Sequence, residues 1–404
     1  MQQSFSGPVG GILFLSAGLL ATFLGMTALG QGSESTSSGE LNPRLVDRGL
    51  GTPELSEKPV FEDLWRLAEL YRNDDAPLIQ GLSLLGRYHG QWWGVDSAQG
   101  DIDDWENRRV WAGARMRFLD EFSLLGNFNL DPRTGANPTR GRDYVDVLNL
   151  SWIRDDQFQL VIGHQKPGFS WEYDLSSNRL LTLERSLLVN QIVPKKSTGV
   201  MFEQKIEKFQ YRVAGYSGQP FGKGLRDPFW FLAAGYDLSG IGGIENMSVQ
   251  VDYLYNSTAK SATARPYRNS VATSFNIEEG PNAFVAQFLL AEGIGSQSNA
   301  WGFTLMPARF LVEDKLQLVA RYQFASSSDV DGLQVQNRYE RQAPQLTESG
   351  KGDRYHAGYL GLNWYLNGHR LKIMTGVEYS HMRGGGNGGG FDGWTGLAGI
   401  RMFF

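Results

Sequence analysis

The 404-residue sequence contains no cysteine. This excludes a disulfide, a thiolate zinc site, a lipid-modified cysteine and a cysteine nucleophile. Long apolar runs are also scarce: the only continuous apolar stretch long enough to span a bilayer covers residues 10–29, whereas a helical membrane bundle needs several of about 20 residues each. The formal net charge is −5, so no basic excess suggests a nucleic-acid partner.

The spacings that mark common catalytic and metal sites are missing as well. The sequence has five scattered histidines and contains neither H-E-x-x-H nor G-x-S-x-G. Its glycine-rich residues 384–390 lack the Lys-Ser/Thr of a P-loop. The acidic residues 101–106 (DIDDWE) lack the turn glycine of a calcium loop, so a solvated loop is the simpler interpretation. We predict no catalytic residue, no metal and no cofactor.

From residue 80 onward the chain alternates apolar and polar residues in segments about ten residues long. This period of two predicts strands, and a tilted strand needs about 9–11 residues to cross a bilayer. Barrel strands need only half their positions apolar, so the modest 41% hydrophobic content is compatible with a membrane barrel. We count roughly sixteen segments, near residues 80–92, 106–118, 121–130, 144–153, 157–165, 198–205, 209–216, 229–237, 246–255, 268–277, 283–290, 300–310, 315–324, 354–365, 370–380 and 393–404.

The connections between these segments alternate in length. Even connections such as 119–120 and 367–368 are short, whereas odd ones such as 94–105, 166–197 and 325–353 are mostly long and polar. Short periplasmic turns alternating with long external loops are typical of outer-membrane barrels. We therefore predict an all-β protein, a transmembrane antiparallel β-barrel of about sixteen strands over residues 79–404. The final segment, which ends on Phe404, resembles the C-terminal strand of such barrels.

The residues before the barrel are predicted to have two parts. An apolar run at residues 12–24, followed by the small-residue pattern Ala28-Leu29-Gly30, predicts a secretory signal peptide over residues 1–30. Because residues 1–11 contain no Lys or Arg, an uncleaved inner-membrane anchor is the alternative. Residues 31–78 are predicted to be a flexible segment and a short helix over residues 60–71, whose apolar positions have helical spacing. We expect this helix to pack against or just below the barrel.

Charged residues set the register of the strands. An Arg or Lys that faces lipid at mid-bilayer costs about 2–4 kcal/mol, so a mid-strand arginine should face the lumen. The inward set is then polar and contains several basic residues, namely Arg87, His89, Arg109, Arg115, Arg117, Arg212, Arg321, Lys372 and, near the periplasmic rim, Arg401. Such a lumen concentrates anions, unless its arginines are paired with Asp and Glu, in which case the lumen is unselective.

Several stretches resemble the phosphate-selective porin O and P family in chain order. They are residues 106–118 (ENRRVWAGARMRF), 144–152 (YVDVLNLSW), 163–172 (GHQKPGFSWE), 174–186 (DLSSNRLLTLERS), Gly199 and 361–373 (GLNWYLNGHRLKI). The resemblance implies a sixteen-stranded, trimeric outer-membrane porin whose third loop, residues 166–197, folds into the lumen. It also implies inward arginines and lysines along the path of the solute.

The candidate path residues in the barrel wall are Arg109, Arg115, Arg117, Arg212 and Arg321. Those in or beside the third loop are Lys166, Arg179, Arg185, Lys195 and Lys196. We expect passive diffusion of small anions, with phosphate or polyphosphate as candidates, and outer-membrane lipid as the surrounding partner. The alternatives are a general or differently selective porin, a barrel enzyme with a catalytic constellation at its rim, and a structural or adhesive barrel without transport.

Overall fold

Sixteen strands of this chain form one closed antiparallel barrel. The computed structural model describes residues 59–130, 144–154, 157–336, 338–347, 350–384 and 389–404, which lie in one compact unit, Asn42–Phe404. Each barrel strand pairs with its neighbours along the chain, and the last strand closes the ring by pairing with the first. The predicted signal peptide and residues 31–58 lie outside the described residues. No helix among the described residues is both long enough and apolar enough to span a membrane.

The barrel strands are labelled β1 to β16 in chain order. They are Ile79–Ser97, Ile102–Phe118, Phe122–Asn129, Val145–Arg154, Phe158–Gln165, Ser197–Ile206, Phe209–Tyr216, Phe229–Asp237, Asn246–Asn256, Tyr267–Glu279, Asn282–Gly293, Ala300–Val312, Leu316–Ser327, Lys351–Asn367, Leu371–Gly384 and Phe391–Phe403.

The predicted fold class is confirmed, and the period of two explains why. In β12 the outward side chains Trp301 and Leu305 are exposed, whereas the inward Thr304 between them is buried. The same alternation places Trp394 of β16 outside at 54% exposure and Thr395 inside at 1%. Apolar side chains therefore cover the outer face of each strand, and polar side chains fill the interior.

Two local predictions are wrong. Residues 94–105 are not a long loop, because β1 continues to Ser97, β2 begins at Ile102, and the two strands pair along this stretch. Residues 60–71 are not one helix: helix α1 covers Pro59–Arg66, and Glu69–Arg72 form a short strand that pairs with residues 81–83 of β1. At this position the edge of β1 offers N–H and C=O groups with which residues 69–72 pair as a strand.

Helix α1 contacts the barrel at the junction between its first and last strands. The indole Nε1 of Trp65 donates a hydrogen bond to the carbonyl of Phe403 at 2.8 Å. The carbonyl of Ala68 accepts from the backbone N–H of Leu84 at 2.7 Å. These contacts fix the segment that precedes the barrel to the end at which the last strand finishes.

The third loop, residues 166–196, folds into the barrel. It contains two short helices, α2 (Trp171–Asp174) and α3 (Leu187–Ile192). Phe169 and Leu183 are at most 1% exposed, and they share an apolar cluster with the wall residues Phe229 and Phe231. Burying a large apolar side chain contributes about 1.5–3 kcal/mol, so this loop is packed as a core.

A second loop, described over residues 328–336 and 338–347, also turns inward. Its short strand Leu333–Gln334 pairs with the start of β14. Leu333 and Val335 are fully buried in the cluster that contains Leu183. Its Gln336 accepts a hydrogen bond from Asn190 of the third loop at 3.0 Å. The two loops therefore cover one side of the lumen together.

Candidate permeation path

A β-bulge in β2 sends two consecutive arginines into the lumen. His89 of β1 lies opposite Arg109, but Gly90 lies opposite Asn107, so Arg108 is the extra residue. Strict alternation would place Arg108 outside; instead it contacts Glu184 of the third loop, while Arg109 contacts the Nδ1 of His89 at 3.2 Å. A bulge changes the direction of the side chains that follow it. Sequence periodicity alone gave no signal for this extra lumenal charge.

Trp111 is the next inward residue of β2 after Arg109, and three cationic side chains surround its indole. The Nζ of Lys196 lies 4.4 Å from the ring centroid, and the guanidinium carbons of Arg87 and Arg109 lie 4.7 and 5.6 Å from it. Cations within about 6 Å of an aromatic face are attracted by its negative quadrupole. Lys196 also forms an ion pair with Asp146. We call Arg87, Arg109, Trp111, Asp146 and Lys196 the tryptophan cluster.

The ammonium of Lys196 is held in a shielded position. Burial lowers the pKa of Lys196 to about 8, and the nearby Asp146 carboxylate opposes this effect. Its side chain is still 23% exposed, so part of it contacts solvent. The neighbouring Lys195 differs, because it is exposed and its backbone N–H donates to Thr263 at 2.8 Å.

A row of basic side chains crosses four adjacent strands beneath the third loop. Lys372 lies opposite Arg401, Arg401 opposite His89, and His89 opposite Arg109. Each of the first three contacts the loop: Lys372 donates to the carbonyl of Leu180 at 2.7 Å, Arg401 to that of Leu183 at 2.9 Å, and His89 contacts Asn178 at 3.1 Å. Loop carbonyls and amides thus supply the acceptors for this row.

The position of Arg401 corrects one expectation. Its side chain faces inward as predicted, but it is 2% exposed and lies under the third loop, so it is not a solvated charge at the rim. The Oε1 of Gln91 accepts a second hydrogen bond from Arg401 at 2.6 Å. Arg401 therefore ties the last strand to the loop.

Two of the predicted arginines, Arg212 on β7 and Arg321 on β13, are neutralised by carboxylates. Arg212 bonds Asp174 at 3.0 Å and Glu203 at 2.6 Å. Arg321 lies 3.3 Å from Glu172 and 2.8 Å from Glu378. Both guanidinium groups are at most 5% exposed. These two residues attach the third loop to the wall and do not join the tryptophan cluster.

The remaining basic residues of the third loop have different surroundings. Lys166 donates to the carbonyls of Tyr173 and Asp174 at 2.8 and 2.7 Å, at the end of α2. Arg185 is buried and donates to the carbonyls of Glu172 and Leu175. Arg179 is half-buried. Lys166 and Arg185 thus satisfy the backbone of the loop itself.

The wall formed by β2 and β3 is less covered than the rest. Arg115 and Arg117 lie opposite Leu125 and Ser123 in the inward register, and all four side chains are half-exposed. Arg117 forms an ion pair with Asp74 at 2.8 Å. An open part of the lumen therefore runs along β2 and β3, below the tryptophan cluster.

Comparison with protein families adds evidence on the kind of barrel. Residues 85–234 match the family described as phosphate-selective porin O and P. The resemblance expected from the sequence is confirmed over these residues. The matched range contains the bulge, the tryptophan cluster and the whole third loop.

Solved structures agree on the fold. The anion-selective porin from Comamonas acidovorans superposes with a TM-score of 0.55 at 12% identity, covering 80% of this chain and 99% of that one. OmpF of Salmonella typhi, in complex with daunomycin, gives 0.56 at 11%, covering 83% and 100%. The trimer form of in-vitro folded OmpT of Vibrio cholerae gives 0.51 at 12%, covering 80% and 99%. A sequence search of curated proteins found no significant match. The porin fold is thus shared at low sequence identity.

Proposed function

We propose that this chain is an outer-membrane porin that forms a water-filled channel for passive diffusion of small anions. The observation that carries the proposal is the tryptophan cluster, in which Arg87, Arg109 and Lys196 converge on one indole beside the uncovered wall. Basic side chains that line a narrow passage favour anions. The match to the phosphate-selective porin O and P family also supports a channel for anions.

The composition of the cluster favours a tetrahedral oxyanion. Arg presents a planar fork of donors and Lys a compact point charge, and both form charge-assisted hydrogen bonds with phosphate oxygens. Arg87 keeps its guanidinium beside Trp111 while its Nη1 donates to the hydroxyl of Ser177 at 2.9 Å. We propose phosphate or polyphosphate as the preferred solute within the broader class of small anions.

The proposal has three further parts. The location is the outer membrane, reached by way of a signal peptide over residues 1–30. The third loop forms the constriction. The assembly is a homotrimer, by analogy with the trimer form of a structural neighbour. Outer-membrane lipid surrounds the outer face, where exposed side chains such as Trp301 and Leu305 meet the bilayer.

The decisive experiment measures ion selectivity in planar bilayers. Under a potassium chloride gradient, the reversal potential of the purified protein should show preference for chloride, and Lys196→Glu should reduce or reverse it. Lys195→Glu makes the same charge change one residue away at an exposed site and should leave the preference nearly unchanged. Cation preference in the unmodified protein would refute the proposal, and equal effects of the two variants would remove the cluster from the path.

Phosphate preference needs its own measurement. Addition of phosphate to the chloride solution should reduce the chloride current if phosphate binds in the constriction. Arg87→Gln should weaken this block, because it removes one charged donor beside Trp111. A chloride current that is indifferent to phosphate would leave an anion channel without phosphate specificity.

A further inference from the structure

Basic side chains also gather on the outer face of the barrel, at the end that carries the long loops. Arg354 at the beginning of β14 lies opposite Arg383 at the end of β15, and His356 lies opposite His381. Lys351 precedes them on β14, and both it and Arg354 are exposed. We call Lys351, Arg354, His356, His381 and Arg383 the outer basic patch. It is separate from the lumen, because Tyr355 and Met382 between these residues point inward and are buried.

The arrangement is unfavourable by itself. Like charges directly opposite each other on neighbouring strands destabilise a sheet, and here an arginine faces an arginine. Two carboxylates offset part of the charge: Asp353 pairs with Arg383, whose Nε donates to it at 2.7 Å, and Asp392 lies 3.4 Å from His381. Three Lys and Arg side chains against two Asp leave a positive excess even when both histidines are neutral.

Aromatic side chains lie directly below the patch on the same outer face. The hydroxyl of Tyr322 is 2.8 Å from the Nδ1 of His356, and the ring of Phe324 is 5.0 Å from the same histidine. Tyr379 packs on Trp394 with ring centroids 5.1 Å apart. Tyrosine and tryptophan are enriched where a membrane protein passes from hydrocarbon to headgroups. The basic residues therefore border this aromatic surface on the side of the long loops.

We propose that the outer basic patch binds a phosphate-bearing glycolipid of the outer leaflet. The phosphates would lie between Arg354 and Arg383, and the acyl chains would lie on the aromatic surface below. Charge complementarity and the continuity of the patch with the apolar outer face support this occupant. The inference rests on the proposed outer-membrane location, and it concerns the outer face alone.

Lipid binding by the full chain in detergent tests the proposal. Native mass spectrometry would measure binding of an acylated glucosamine disaccharide carrying two phosphates, and of the same lipid with its phosphates removed. The phosphorylated form should bind tighter, and Lys351→Gln combined with Arg354→Gln should weaken it by about tenfold, or roughly 1.4 kcal/mol. These two side chains are exposed, so the double variant should fold; Arg383→Gln provides an independent second variant.

Arg309→Gln is the matched control. Arg309 is also an exposed arginine on the outer face, but it lies near the end of β12 beside a short turn, at the opposite rim. Equal loss of binding in Arg309→Gln, equal binding of the dephosphorylated lipid, or no loss in the patch variants would each overturn the proposal. Equally tight binding of inorganic phosphate alone would also overturn it, because the acyl chains would then contribute nothing. Reversal potentials of the same variants should not change, so failure here is distinguishable from failure of the anion channel.

Discussion

Arg108 holds Glu184 through two hydrogen bonds, from its Nε at 2.6 Å and from its Nη2 at 3.2 Å. The pair joins the barrel wall to the third loop, and its side chains are only 14% and 11% exposed. Removal of one member of a buried ion pair typically costs about 3–5 kcal/mol, because the remaining charge stays uncompensated. The extra residue of the β2 bulge therefore fixes the third loop to the barrel wall.

We expect Arg108→Gln to loosen the third loop. Single-channel recordings should show higher mean conductance and more current noise than the unmodified protein. The double variant Arg108→Gln with Glu184→Gln should show less current noise than the single variant, because neither member of the pair is left as an uncompensated charge. Identical traces for the single and double variants would show that the pair does not hold the loop.

Arg115 and Arg117 provide a matched comparison on one strand. We expect Arg115→Glu to reduce anion selectivity, since its half-exposed side chain faces the open part of the lumen. Arg117→Glu should have a smaller effect, because Arg117 lies one residue from the end of β2, where solvent screens its charge more strongly. The shift in reversal potential measures both, and a larger shift for Arg117 would contradict this order.

Anion selectivity should fall at alkaline pH. Burial lowers the pKa of Lys196 to about 8, so its ammonium is charged below that pH and neutral above it. Reversal potentials recorded from about pH 6 to about pH 9.5 should show a loss of anion preference centred near pH 8. Lys196→Arg keeps its charge over this range and should flatten the profile; an unchanged profile in that variant would assign the titration to another group.

The two inward loops can be tied together chemically. The Nδ2 of Asn190 donates to the Oε1 of Gln336 at 3.0 Å, and the sequence has no native cysteine to interfere. We expect the double variant Asn190→Cys with Gln336→Cys to be bridged by a short thiol-reactive cross-linker that contains an internal disulfide. Cross-linking should then reduce current noise, and a reductant should restore it. The single variant Asn190→Cys serves as the control and should not respond to either treatment.

Alternation of apolar and polar residues was sufficient to predict the strands. Two environments, one apolar and one polar, force a period of two on each strand, and Trp394 and Thr395 show this in adjacent positions. Mid-strand charge gave the inward face of Arg109, Arg212 and Arg321 for the same reason. The number of strands and the fold class followed from these local patterns.

What the sequence did not reveal depends on contacts between distant residues. The bulge at Arg108 arises from pairing between β1 and β2, and nothing in the local pattern marks it. Whether an inward arginine meets a carboxylate depends on the path of the third loop, which brings Glu172 to Arg321 across a separation of 149 residues. Charge alone therefore could not distinguish the arginines that hold the loop from the lysine beside Trp111.

The junction between β16 and β1 has a consequence for assembly. Phe404 and Gly86 exchange two backbone hydrogen bonds at 3.0 and 3.1 Å, and Phe403 lies opposite Arg87. The first barrel strand, β1, therefore cannot pair along this edge until the last strand, β16, has been made. Until then most of one edge of β1 has unpaired N–H and C=O groups that can pair with a strand of another chain. Within this edge, the short strand Glu69–Arg72 covers residues 81–83. Correct closure of the barrel therefore requires that β16 pairs with the edge of β1 before a strand from another chain does.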